Sequence, residues 1–546
     1  MSTLVQVQDL RVQFGHTPII KGISFSLAAG ECLALVGESG SGKTVTSRTL
    51  SGLSGAGSRV QAERLAFADI DLRQLDDRAW QALRGAQIGF VMQDALGSLD
   101  PLRPVGKEIA EPLRLHTQLD RDARQARVIE LLRSVGVPQP ELRALQYPHQ
   151  LSGGLRQRAL IASAIAAGPR LLIADEPTTA LDATVQAQVL ALLESLRSQA
   201  MAMLVVSHDL AVVSRLADRV AVMHHGVIVE QGPVEAILHD PQHPYTQSLL
   251  RAGRAVHFQR PNQAAPKVAS VERFDLPLIE ARNLQKTFIG PDGQPHVAVH
   301  NASFSLRAGE TLGIVGESGS GKTTLTRMLL GLERPDAGDV WLNGRPWSAL
   351  NDQQRRQLRQ RIQVVFQDPQ SSFDPRYTVA RVLNEALQVA GLPRREWPAR
   401  TLELLELVRL DASVLDRRPL ELSGGQRQRI AIARALAPNP QVLVCDEPVS
   451  ALDVSVQAQI LALLADLKSR LKLACLFISH DLGVINQVSE RVLVMKDGEV
   501  VESGTVRDVF DHPQHAYTRA LLDAIPQIDR PAPVPEHHFI TYAIAI

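Results

Sequence analysis

The chain repeats itself, and that repeat constrains the fold more than any other feature of its 546 residues. The string GESGSGKT runs from Gly37 to Thr44 and again from Gly316 to Thr323. LSGG recurs at Leu151 and Leu422, DEP at Asp175 and Asp446, and SHDL at Ser207 and Ser479. Four landmarks in one order at nearly one spacing mean a duplicated domain. The length exceeds one ordinary hydrophobic core, and 45% hydrophobic residues suffice for two. The repeat predicts domains at 1–255 and 277–525. Between them, 256–276 is Pro, Ala and polar material without periodicity, read as a linker, and 526–546 is read as a disordered tail.

Each copy opens on alternating segments, LVQVQDLRVQF and LIEARNLQKTF, which read as half-buried strands. A strand over Glu31 to Val36 enters the first glycine loop, and a helix is predicted to begin near Gly42. From about Glu108 to Ile165 the periodicity turns helical, as in RDARQARVIELLRSVG, which predicts a helical subdomain inserted into an α/β core. The runs LLIA before Asp175 and AMLVV before Ser207 are short and wholly apolar, the pattern of central parallel strands covered on both faces.

Composition narrows the class. No apolar run is long enough for a bilayer-spanning helix or a secretory leader, which predicts a soluble or peripheral protein. Lys plus Arg and Asp plus Glu are each 58, so no global basic field points to nucleic acid. Cys32, Cys445 and Cys475 lie in apolar segments without metal-ligand spacing and read as buried, reduced thiols suited to the cytoplasm. The pairs His224/His225 and His537/His538 read as surface residues.

Gly37, Glu38, Ser39, Gly40, Ser41, Gly42, Lys43 and Thr44 satisfy the phosphate-loop pattern GxxxxGK[ST] between a strand and a helix. Glycines let backbone N–H groups surround a polyanion without clashing side chains. Lys43 is expected on the terminal phosphates of ATP and Thr44 on Mg²⁺. Gly316, Glu317, Ser318, Gly319, Ser320, Gly321, Lys322 and Thr323 repeat the set. Asp175 and Asp446 close apolar strands, where ligands bind in open α/β sheets, and are expected to hold Mg²⁺. Glu176 and Glu447 are expected to polarise the attacking water. His208 and His480 follow the next strand; each imidazole is read either as a phosphate or water partner or as a satisfied structural residue. Gln93 and Gln367, taken alone, read as solvent-facing. Ser152-Gly153-Gly154 and Ser423-Gly424-Gly425 precede Arg/Ala-rich helices and form a second kind of phosphate cradle. Two loops and two cradles suggest that ATP is sandwiched between the loop of one domain and the LSGG of the other.

Taken together, these motifs resemble an ABC transporter ATPase, in the importer branch that serves dipeptides, oligopeptides, glutathione and nickel. The branch markers are YPHQLSGG at Tyr147, EPTTALDATVQAQVL from Glu176, QDPQSSFDPR at Gln367, and HPYTQSLL at His243 with HAYTRALL at His515. The resemblance implies a P-loop NTPase fold with tandem ABC-type domains. It implies that Phe14 and Phe288, which alone read as strand residues, stack on adenine. Gln93 and Gln367 become lid glutamines beside Mg²⁺ and the water, and Asp182 and Asp453 lie on loops crossing the domain interface. One site would join Lys43, Asp175, Glu176 and His208 to Ser423 and Gly425; the other would join Lys322, Asp446, Glu447 and His480 to Ser152 and Gly154. The implied partners are two transmembrane permease subunits and a periplasmic solute-binding protein, at the cytoplasmic face of a bacterial inner membrane. Peptides or peptide-like compounds are the implied cargo, with nickel and glutathione as alternatives. A tandem ABC protein of the ribosome is disfavoured by the short, proline-containing linker, and neither a zinc nor an iron–sulfur centre is expected. Two departures stand out: Leu155 where the second copy has Gln426, and Arg418-Pro419-Leu420 against Tyr147-Pro148-His149.

Overall fold

A computed structural model of the protein describes residues 2–179, 181–198, 200–256, 277–289, 293–369, 372–450 and 452–525. In the first half six strands lie side by side in the order Val227–Pro233, Arg219–His224, Cys32–Val36, Ala202–Val206, Leu171–Asp175, Ile88–Val91. All neighbours are parallel except the edge strand Val227–Pro233. The second half repeats the order with Glu499–Thr505, Arg491–Lys496, Thr311–Val315, Ala474–Ile478, Val442–Asp446 and Ile362–Val365. Cys32–Val36, Leu171–Asp175 and Ala202–Val206 are buried at every residue. Layers on both faces of a parallel sheet exclude water, which is why these strands are written as continuous apolar runs.

An antiparallel sheet forms one of the covering layers. Thr3–Phe14 pairs with Thr17–Ala28, and Ile279–Ile289 with Pro295–Leu306. Burial along Thr17–Ala28 alternates at Ile23, Phe25 and Leu27, as a strand with one wet face requires. The helical insertion begins slightly earlier than the periodicity placed it. Helices Val105–His116, Arg121–Ser134 and Gly153–Ile165 pack through Ile109, Leu113, Val128, Leu132 and Ile161. The Asp120 carboxylate starts the second of these by accepting the Ala123 N–H. Val379–Val389, Trp397–Leu407 and Gly424–Leu436 form the equivalent block.

Helix Pro244–Val256 carries the first half to residue 256 and packs on Val454–Leu471 of the second half. The rest of the expected linker, the tail at 526–546, and His537 and His538 lie outside the described residues. All three cysteines are buried, and burial pushes the Cys32 and Cys475 thiols up to about 12, so both stay protonated. Among the described residues no helix is long and apolar enough to cross a membrane.

Candidate functional site

The site forms where the parallel strands end. After Val36 the chain turns through the glycine loop into helix Lys43–Leu50. Two positions in that turn require glycine. Gly37 has φ 149°, and a Cβ there would lie 2.2 Å from the Met223 carbonyl oxygen; Gly42 caps the helix at φ 104°, where a Cβ would meet Ile20 at 2.6 Å. Gly316 and Gly321 repeat both constraints.

Lys43 is buried, and its Nζ donates to the carbonyl oxygens of Gly37 at 2.7 Å and Glu38 at 2.9 Å. Lys322 donates to Gly316 and Glu317, both at 2.7 Å. Burial lowers the pKa of both amines, against the pull of the neighbouring carboxylates. The opening N–H groups of the following helix have no intrahelical acceptor, and the helix dipole favours an anion there. The Ser41 hydroxyl is buried with no partner, whereas the Ser320 hydroxyl accepts from Lys322 at 3.3 Å. A cation, free amide donors and an orphan hydroxyl around one turn fit a phosphate chain.

Asp175 is buried at the end of its strand and accepts from the Thr44 hydroxyl at 3.3 Å and the Ser47 hydroxyl at 3.4 Å. These hard oxygens are the donor type that Mg²⁺ takes. Burial, and then Glu176, raises the pKa of Asp175. Asp446 is pushed up to about 6 by burial and by Glu447.

Glu176 and Glu447 sit in the left-handed region at φ 49° and 48°, a conformation that non-glycine residues seldom adopt. That turn swings each carboxylate off the strand end into a ring of donors. Glu176 accepts from Gln93 Nε2 at 2.9 Å and Thr179 Oγ1 at 2.9 Å, with His208 Nδ1 3.1 Å away. Glu447 accepts from Gln367 Nε2 at 2.7 Å, with His480 Nδ1 at 3.2 Å. Burial alone would raise the pKa of Glu176; the hydrogen bond and charge of His208, with Thr179 and Lys43, outweigh it and hold the group below its usual value. The same pairing raises His208 despite its burial, and Glu447 and His480 behave alike. Both glutamines that read alone as solvent-facing are thus bonded to the central acid, although each remains largely exposed.

Ser152 and Ser423 cap the helices that follow LSGG, accepting from Leu155 N and Gln426 N. Gly154 and Gly425 let those helices approach Val185 and Val456: a Cβ would lie 2.4 and 2.6 Å from them. Among the described residues no hydrogen bond joins Ser152 or Ser423 to a phosphate loop. The second phosphate loop meets the first half instead through Asp182, whose Oδ2 accepts from the Ser318 N–H at 3.1 Å. Thr178, Thr179, Leu181 and His208 also face Val449, Ser450, Leu452 and His480 across a cavity of about 130 Å³. Phe14 is half-buried beside Gly55, whereas the Phe288 ring is 40% exposed with Lys286 Nζ 5.3 Å from its centre.

The Tyr147 and Arg418 segments differ in side chains but make one turn. Gln150 Oε1 accepts from Tyr147 N at 2.9 Å and Glu421 Oε2 from Arg418 N at 2.7 Å, while Pro148 and Pro419 are buried. Sequence reasoning missed five participants: Thr179 on Glu176; Asp209 and Asp481, which cap the helices after the histidines; and Tyr245 and Tyr517, whose hydroxyls accept from Glu38 N at 3.1 Å and Glu317 N at 3.0 Å. The repeated HPYT and HAYT strings carried the signal for the tyrosines.

The sequence matches the family model "ABC transporter" at residues 20–179 and 299–450. A second model, "Oligopeptide/dipeptide transporter, C-terminal region", matches 229–275 and 501–539. Glutathione import ATP-binding protein GsiA of Pectobacterium atrosepticum is 43% identical over 96% of this chain and 90% of its own length. Its counterpart in Escherichia coli K12 is 44% identical over 96% and 89%. Among solved structures, a dimeric ATP-binding cassette in a post-hydrolysis state bound to ADP and Pi is 30% identical, covering 42% of this chain and 98% of that chain at a TM-score of 0.38.

Proposed function

Because the chain belongs to the ABC transporter family and is a transport-coupled ATPase with two P-loop cassettes in tandem, we propose that it powers the import of short peptides and peptide-like molecules, glutathione among them. The observation that carries the cargo class is the oligopeptide/dipeptide transporter C-terminal region, matched once in each half. Likeness to glutathione import proteins over nearly the whole chain supports glutathione within that class. Two multi-span permease subunits and a periplasmic binding protein would supply the pathway, with this chain at the cytoplasmic face of the inner membrane.

Each ATP would lie between the phosphate loop of one half and the LSGG helix of the other. The head-to-tail contact of Asp182 with Ser318 supports that arrangement. Lys43 and Lys322 would exchange their loop carbonyls for the terminal phosphates. Thr44, Asp175 and Gln93 in one half, and Thr323, Asp446 and Gln367 in the other, would hold Mg²⁺, which supplies charge neutralisation on the phosphate oxygens. Glu176 and Glu447, ionised through their histidine partners, would take the proton of the attacking water. His208 and His480 each spend Nδ1 on the glutamate and keep Nε2 for the γ-phosphate. Gln93 and Gln367 tie each acid to the face of the helical block, so a permease helix docked there would feel the nucleotide state. Phe14 and Phe288 would pack on adenine.

The test is capture from solubilised membranes with a Glu176→Gln/Glu447→Gln chain, followed by uptake of labelled glutathione and a labelled dipeptide by cells lacking the gene. Recovery of two permeases, with loss of uptake restored by the wild-type chain, supports the reading. Recovery of ribosomal proteins without a membrane partner overturns it.

A further inference from the structure

The HPYT and HAYT strings lie outside the nucleotide motifs, yet their tyrosines reach the phosphate loops. In the first half Glu230, on the edge strand, accepts the N–H groups of Gln242 at 2.7 Å and His243 at 3.1 Å. His243 Nδ1 then accepts from Tyr245 N at 3.2 Å, and the ring leaves the start of helix Pro244–Val256 stacked on His224, centroids 3.9 Å apart. In the second half Glu502 accepts from Gln514 N and His515 N, His515 Nδ1 accepts from Tyr517 N, and Lys496 takes the place of His224 over the ring. Two anchors, a folded turn and a ring held from one face thus aim each hydroxyl at one backbone amide.

That amide belongs to Glu38 or Glu317, the second residue of the phosphate loop, whose carbonyl oxygen accepts from Lys43 or Lys322. The residue is held on both sides, by the tyrosine through its N–H and by the lysine through its carbonyl oxygen. When the lysine turns to a phosphate, the Ser41 or Ser320 N–H still meets the carbonyl oxygen, and the tyrosine remains as the hold on the N–H. In the second loop the next amide, Ser318 N, goes to Asp182 of the other half, so the shoulder of that loop has one anchor from each domain. A phenol suits the position because it orients an amide without placing a negative charge beside a polyanion. Burial pushes Tyr245 up to about 12 and raises Tyr517 as well, which keeps both neutral.

We propose that Tyr245 and Tyr517 are positioning residues for ATP, each fixing the shoulder of its phosphate loop from the domain's own C-terminal segment, so that this segment sets nucleotide affinity. The proposal rests on the phosphate loops being the nucleotide sites. Tyr245→Phe and Tyr517→Phe in the full chain keep the ring and remove the hydroxyl. Each is expected to raise the KM for ATP about three- to tenfold, the range of one hydrogen bond, with kcat changed less than about twofold. Amide exchange at Glu38 or Glu317 should quicken in the matching variant. Glu230→Gln, which loosens the turn holding Tyr245 without touching the loop, is expected to shift KM in the same direction. Unchanged KM and unchanged amide exchange in the tyrosine variants, with only a lower melting temperature, would overturn the proposal. Lys43→Ala/Lys322→Ala separates the two levels. If that chain still binds ATP at wild-type affinity, the assignment of the loops fails; if it loses ATP while the tyrosine variants do not weaken it, the positioning role alone fails.

Discussion

Asp175 and Asp446 end equivalent strands in the two halves, but their surroundings differ. Position eleven of the phosphate-loop segment is Ser47 in the first half and Thr326 in the second. Ser47 reaches both the Thr44 carbonyl at 2.9 Å and Asp175 at 3.4 Å. Thr326, β-branched and stiff within a helix, donates back to the Lys322 carbonyl at 2.8 Å. Asp175 has hydroxyl donors from Thr44 and Ser47 and a nearby Arg48, whereas Asp446 has the charge of Lys322 to offset burial. Duplicated motifs do not ensure duplicated electrostatics, and the second half holds its strand-end carboxylate in the less favourable setting.

The largest test of that difference is removal of each central acid. Glu176→Gln and Glu447→Gln each should cost about 10²- to 10⁴-fold at their own site, the usual yield of a general base. Either single variant should then retain at most about half of steady-state ATPase activity, and the double variant should fall to background. Unequal single variants, measured by phosphate release, would show which half turns over faster.

Asp446 gives the next effect, in metal-free protein. Its pKa of about 6 lies above the value of about 4 for an unfolded aspartate, so the folded state binds the proton more tightly. That contribution to stability is fully present below about pH 4 and is lost as pH rises through about 6. Asp446→Asn should then stabilise the second half in EDTA at pH 8 by at most about 3 kcal/mol and remove the pH dependence there. Asp175→Asn should do less. Thermal unfolding at pH 5 and pH 8 checks both, and a larger gain from Asp175→Asn would break the comparison.

The cradle helices differ more mildly. Gln426 Oε1 accepts from Ser423 N at 3.0 Å, completing a capping box, and Leu155 has no acceptor to do so for Ser152. Leu155→Gln should stabilise the first half by about 0.5–1 kcal/mol, and Gln426→Leu should destabilise the second by a similar amount. Paired melting curves decide it.

Much of this was legible because it is local. Wholly apolar runs announced the strands Leu171–Asp175 and Ala202–Val206, and GESGSGKT announced a turn that two glycines alone permit. What stayed hidden depends on distance along the chain. Gln93 lies 83 residues from Glu176, and Tyr245 lies 207 from Glu38, so no periodicity links them. The left-handed backbone at Glu176 and Glu447 is a tertiary demand on residues whose own preference runs against it. The contrast between Tyr147-Pro148-His149 and Arg418-Pro419-Leu420 disappears in space, because the turn is set by the buried proline and the Gln150 or Glu421 side chain. The contrast between Ser47 and Thr326, which looks conservative, removes one of the hydroxyl donors that Asp175 has.

The smallest effect concerns the far end of the sheets, away from the phosphate loops. In the first half Arg215 and Glu194 form a half-buried ion pair, with contacts of 2.5 and 2.9 Å, between neighbouring helices. The equivalent residues in the second half, Gln487 and Ala465, cannot pair, and both line a cavity of about 690 Å³ together with Lys468 and Cys475. Ala465→Glu/Gln487→Arg should transplant the pair and narrow that cavity. A partly exposed pair is worth at most about 1 kcal/mol, since solvent screens it and two long side chains must be ordered. The double variant should therefore raise the melting temperature of the second half only slightly, while each single variant leaves an unpaired charge and raises nothing. A gain from either single variant equal to that of the double would mean that filling volume, not pairing charge, distinguishes the two halves at this end.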